Sequence, residues 1–565
     1  MLAACAAMAL ASVPTMPQAL SAGAYLAARE AGARNDFAAS PAFLDRLLEG
    51  DPENRMLLNS LLVNLVVLGE RDRAKQVATQ LRALDPGNEV AGLVLVTEAF
   101  ARQEHQAVLD LLAAAPIGND LIDALAPAWA QLGTGSMTEA LDTLDSMAAR
   151  EGMAAFALYS RTLALALAGD AEGALAVIEA PEHGVANVLN RRGIIAHAQL
   201  MALADRAEDA LALIDTVFVE PERDPRLARM IDAYSQGQPV PFDVITGAED
   251  GMAEVFAVLA TVMRQARNPQ DGLLFARLAL ALNPALSDTR LLLGQLFEDL
   301  DQPELAAQIY AEVPEDDFFA VSAAMGEAQT LFSLDRVDEA LAVMEGLAER
   351  HADMPAVWHV LGDFRRFDNR TEAAVEAYDR AIDLIRTQGR APDWRLLHSR
   401  ALMNHRLDRW DAAEADFRAA LADEPDQPTV LNNFAYSMVE RQENLEEALE
   451  MIRRAVEAEP DSGYFVDSLA WAMFRMGRFD EALPHMERAV ELLPSDAILN
   501  DHLGDVYWAV GRQREARFQW RRALSFGPHD DLDMDRVRRK LDIGLDRVLE
   551  EEGAPPLHAR QDGED

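Results

Sequence analysis

The chain has 565 residues, half of them apolar and about a quarter charged, the composition of a folded protein. Its formal net charge is -44, a field that repels nucleic acid and anionic membrane surfaces, so neither is an expected partner. Cys5 is the only cysteine, which excludes an intrachain disulfide and a thiolate metal cage.

Residues 2–12, LAACAAMALAS, form an apolar run followed by Pro14 and Pro17. The run is too short to cross a bilayer, and residues 1–19 read as a secretory signal peptide that sends the protein to the periplasm. No basic residue precedes Arg29, a departure from the signal pattern. Leu2-Ala3-Ala4-Cys5 also matches a lipobox, which would make an outer-membrane lipoprotein through Cys5. A cytoplasmic chain is the third alternative.

Residues 20–217 have helical apolar spacing in paired blocks. Pro52 and Pro86 are 34 residues apart, and Leu58, Leu61, Leu62, Ala74, Ala78 and Leu81 lie between them. Residues 88–116 are a shorter copy. Through 117–217 the register blurs, but a turn followed by Glu or Asp and then Ala-Leu recurs. Residues 218–251 break the pattern with Pro221, Pro225, Pro239, Pro241, Gly237 and Gly247. They read as an irregular connector between two halves. Residues 252–534 are periodic again. Residues 535–551 fit a single capping helix, and 552–565 a disordered tail.

The period is clearest over residues 462–528, where one pattern is written twice. Pro460, Pro494 and Pro528 are spaced by 34. Ala470 matches Gly504, Ala482 matches Ala516, Ala489 matches Ala523, and Met486 matches Trp520. Each copy is two helices of about twelve to fourteen residues joined at Gly477-Arg478 or Gly511-Arg512. The proline closes the second helix, the small residues allow close approach, and large ones fill the gap. One pair cannot bury its own apolar face, so pairs must stack. The copy ending at Pro460 carries one extra residue in its inter-helix turn, RQENLEE, and closes after 35 residues.

Leu503-Gly504, Tyr507, Ala516, Ala523 and Pro528 in one copy, and Trp358, Leu361-Gly362, Ala374, Tyr378 and Ala381 in another, resemble the tetratricopeptide repeat family. The resemblance implies an all-α fold, a right-handed superhelical α-solenoid of about a dozen helix-turn-helix repeats. It implies a non-enzymatic scaffold that binds a protein or peptide in a concave groove, with envelope assembly the expected setting; the alternative is an accessory subunit of a separate envelope glycosyltransferase or peptidase.

No catalytic constellation stands against this. There is no His-Glu-x-x-His, no phosphate loop and no nucleophile elbow, and no cofactor or metal is expected. The histidines His351, His359, His398, His405, His485 and His502 read as structural or groove-lining.

Carried over by position in each first helix, the resemblance puts these residues in the groove: His359, Asp363 and Arg366; Arg395, His398 and His405; Asn432, Asn433 and Tyr436; Tyr464, Asp467, Trp471 and Phe474; Ile498, Asp501, His502, Asp505 and Trp508. Aromatic platforms give contact area at low entropy cost, and amides can bond a peptide backbone. The alternative for Trp471, Phe474 and Trp508 is packing between neighbouring helices. The lysines of the family's carboxylate clamp are absent from these positions. Arg512, Arg514, Arg517, Arg521, Arg522, Arg536, Arg538, Arg539 and Lys540 form a basic run that is either a solvated face or a docking surface for an acidic partner.

Overall fold

A computed structural model describes residues 22–181, 184, 185, 189–528, 532–554 and 557. The signal peptide expected over residues 1–19, with Cys5, and most of the tail expected over 552–565, lie outside the described residues. Every regular element described is helical, as the 3.6-residue apolar spacing requires. None of these helices is long and apolar enough to cross a membrane.

Among the described residues fourteen helix pairs run from Ala22–Ala33 with Ser40–Leu48 to Ala497–Ala509 with Gln513–Ser525. Each pair turns through a residue in the left-handed region, such as Asn369 (φ 56°), Asp408 (φ 53°) or Gly477 (φ 78°). Asn and Asp tolerate that conformation and Gly adopts it freely. The extra residue before Pro460 shows itself as a second such position: Gln442 (φ 58°) and Asn444 (φ 50°) both turn. The matched small residues mark close approach. A Cβ on Gly504 would lie 2.4 Å from Trp520, and one on Gly362 2.5 Å from Tyr378.

The chain divides into two compact units at residues 343/344, each with its own apolar core. The expected connector over 218–251 is not the boundary; it is packed within the first unit. Asp224 caps the helix Pro225–Ser235 by accepting from the backbone N–H of Arg226 and Leu227. Val244 and Ile245 are buried. Arg192 donates to the Val244 carbonyl at 2.6 Å and pairs with Glu254, and Gln199 donates to Asp243 at 2.7 Å. The prolines interrupt helix, but the apolar residues between them still demand burial.

The first unit also folds back on itself. Helix Ala248–Gln265 lies against Asp120–Gly133 and Ala154–Leu167, and Pro269–Leu282 lies against Arg55–Leu68 and Glu89–Ala101. Trp129 rests on Gly251, where a Cβ would come within 2.2 Å of its ring. In a simple solenoid each repeat touches only its neighbours. Here the first helices of the early repeats are covered by later helices of the same unit.

Candidate functional site

In the second unit the first helices of successive pairs, Pro355–Phe367, Trp394–Arg406, Pro428–Arg441, Gly463–Arg475 and Ala497–Ala509, each touch the next. They form one continuous lining face. Polar side chains at helix-turn spacing on these helices therefore fall into rows across it.

At its N-terminal end Asp363 accepts from the Tyr378 hydroxyl at 2.8 Å. His359 lies 3.7 Å and Arg366 3.6 Å from its carboxylate. The Arg366 guanidinium stacks over Phe367, and its Nε is buried with no hydrogen-bond partner. Arg395 is exposed, over the Trp394 ring. Asn433 Nδ2 lies 3.0 Å from His398 Nε2. Burial, aided by the Arg366 charge, holds His398 down to about 4. His405 packs edge-on against Trp410. Burial first, then Arg441, lowers its pKa, and its Nδ1 has no partner.

Asn432 is 6% exposed. It donates a long 3.4 Å bond to Asn433, while its own carbonyl oxygen is unpartnered. Tyr436 is half-buried beside it, and Tyr464 is 57% exposed.

Further along, aromatics stack three deep. The His502 ring lies 3.9 Å from Trp471 at 8°, and Trp471 lies 4.8 Å from Phe474 at 10°. Asp467 holds His502 Nδ1 at 3.0 Å, and Trp471 donates to Glu440 at 2.8 Å. Burial drives the His502 pKa down, but Asp467, with Asp501 and Asp505, outweighs it, and the net shift is up.

The C-terminal end of the expected groove is not open. Asp501, Asp505 and Trp508 are engaged by the chain's own terminus. Lys540 is fully buried, with Nζ 2.7 Å from both Asp501 and Asp505. Trp508 donates to Asp546 at 2.9 Å, and Trp520 to Asp505 at 2.9 Å. The single capping helix expected over 535–551 is two, Met534–Ile543 and Leu545–Glu551. Gly544 breaks it at φ 84°, because the Trp508 ring occupies the space a Cβ would need. The basic run is likewise no single patch: Lys540 is buried, while Arg512 pairs with Glu487 and Glu515, Arg536 with Glu552 and Arg539 with Glu551.

Between the aromatic stack and this cap lies a cleft of about 350 Å³, with Trp471, Phe474 and Phe479 on one side and Leu545, Leu549 and Leu557 on the other. Sequence reasoning missed Glu440, which anchors Trp471, and the role of Lys540. One signal was available: Lys540 stands three residues after Val537, on the apolar stripe of the capping helix.

The family profile described as tetratricopeptide repeat matches residues 325–393, 396–463, 440–497 and 468–531. A TPR repeat-containing protein of Pseudomonas aeruginosa is 26% identical over 188 residues, covering 33% of this chain and 31% of that protein. The chain thus matches about a third of that relative's length. Among solved structures, the APC/C hetero-tetramer Cut9-Hcn1 superposes with a TM-score of 0.38 at 13% identity, over 93% of this chain and 96% of that one. YrrB, described as a TPR protein with an unusual peptide-binding site, gives 0.29 at 14% identity, over 37% of this chain and 99% of that one.

Proposed function

We propose, for a chain that carries tetratricopeptide repeats between residues 325 and 531, that the lining face of its second unit binds an extended protein segment, from His359 to Phe474. One observation carries the reading. Arg366 Nε and Asn432 Oδ1 are buried without partners on a face that ends in a stacked aromatic cleft. Unsatisfied buried groups are costly, and a peptide backbone supplies both an acceptor and a donor. The stack of Trp471 on Phe474 then offers a platform for an apolar side chain of the same segment.

The test follows from the geometry. Trp508 holds the cap, so its replacement would disturb the fold and report nothing about binding. Asn432→Ala with Arg366→Ala leaves the cap intact. With the wild-type chain as bait, the proteins retained from a cell extract are expected to be retained at least tenfold less by the double variant, since each lost hydrogen bond is worth about 1 kcal/mol. Helical circular dichroism should be unchanged. Undiminished capture would place binding elsewhere.

The same proposal locates the scaffold in the periplasm, on the support of the apolar run over residues 2–12. N-terminal sequencing of the mature protein is expected to begin near Leu20. An intact Met1 rules export out.

A further inference from the structure

The first unit holds a pocket that the scaffold reading does not use. It opens where Pro269–Leu282 crosses Arg55–Leu68 and Glu89–Ala101, and encloses about 270 Å³. Val66, Ala74, Val94, Leu278 and Pro284 form its apolar lining. Arg277 also lines it. The Arg277 Nε donates to the Val67 carbonyl at 2.7 Å.

Among the described residues no carboxylate lies within ion-pair distance of Arg277. Burial lowers its pKa to about 10, only partly opposed by the more distant Glu312, and the group stays charged at neutral pH. Two other half-buried arginines are paired: Arg192 with Glu254, and Arg400 with Asp379 and Asp416. A desolvated charge without a counter-ion is costly, and this chain has 95 acidic side chains with which to supply one.

The remaining charges of the pocket compensate each other. Arg71 bonds Glu98 at 2.9 Å, and Arg290 lies 3.6 Å from Glu312. One positive charge is left over. A second group also lacks a partner: the Thr97 hydroxyl, on a residue 1% exposed that lines the same pocket.

We propose that this pocket binds a small monocarboxylate with a short apolar body, its carboxylate on Arg277 and Thr97 and its chain against Val66, Val94 and Leu278. The charge balance selects a monoanion, because a dianion would meet one uncompensated cation with Glu98 and Glu312 close by. The walls select an apolar body, and the volume, at the lower end for small-molecule sites, keeps it short.

The probe is hexanoate, added to the full chain and followed by saturation-transfer NMR of the ligand signals and by calorimetry, with hexanol and inorganic phosphate as the comparison arms. Hexanoate is expected to bind the wild type. Hexanol and phosphate are expected to bind at least tenfold more weakly. Arg277→Met, which keeps the bulk and removes the charge, is expected to weaken hexanoate at least tenfold. Because Arg277 also bonds the backbone of an early helix, a second variant, Ala281→Met, fills the pocket and leaves the arginine in place. It should produce the same loss. Wild type that ignores millimolar hexanoate, binding by either variant as tight as that of wild type, or phosphate binding more tightly than hexanoate would each overturn the assignment.

Discussion

Replacing Lys540 by methionine is expected to cost the second unit about 3–5 kcal/mol, the scale seen when one partner of a buried ion pair is removed. Lys540 is fully buried, and Nζ is shared by Asp501 and Asp505. Methionine preserves the side chain's length and leaves two carboxylates facing each other without a cation. Burial already raises the pKa of Asp505, and Lys540 is the group that pulls it back. The loss should appear in urea unfolding followed by tryptophan fluorescence, because Trp508 and Trp520 donate to Asp546 and Asp505 at this junction. Adding Asp501→Asn and Asp505→Asn to Lys540→Met should recover much of the stability, since a neutral polar set costs less than two stranded charges. A change below about 1 kcal/mol in Lys540→Met would mean that the cap is held by packing alone.

The second large effect is a loss of stability in acid. His398 is held down to about 4 by burial and the Arg366 charge, whereas in an unfolded chain histidine titrates near 6.5. Above about 6.5 both states are neutral at this site and the contribution is complete. Between about 6.5 and 4 the unfolded chain takes up a proton that the folded one refuses, so stability falls as pH falls. The loss reaches about 3 kcal/mol below the folded value. His398→Gln removes this slope while still offering Asn433 a partner. Unfolding curves at a series of pH values should agree for wild type and variant near neutrality and separate in acid, where the wild type loses the more stability. Parallel curves would mean that His398 titrates normally.

The repeat itself could be read from spacing because it is a local property. The paired small and large residues over 462–528, and the longer turn before Pro460, all have their structural counterparts in close helix approach and left-handed turns. His398 with Asn433 and Trp471 with Phe474 fall on one face for the same reason. What spacing could not show was pairing across distance. Lys540 meets Asp501 and Asp505 only because Gly544 and Trp508 bend the cap back over the last pair. Similarly, the prolines of 218–251 suggested a connector between two halves, while Val244 and Ile245 are buried in a segment tied down by Arg192 to Val244 and Gln199 to Asp243, bonds that span 52 and 44 positions of sequence.

The fold-back of the first unit has a consequence for the chain as it is made. Arg277 bonds Val67 across 210 residues, and Gln270 reaches Asn35 across 235. A ribosome adding about 5–20 residues per second leaves the face of Arg55–Leu68 uncovered for roughly ten to forty seconds before its partner helix is synthesised. A row of independent repeats could consolidate behind the exit tunnel one at a time. This unit has to wait for its closing hairpin, and that wait is the interval in which a nascent-chain chaperone has something to hold.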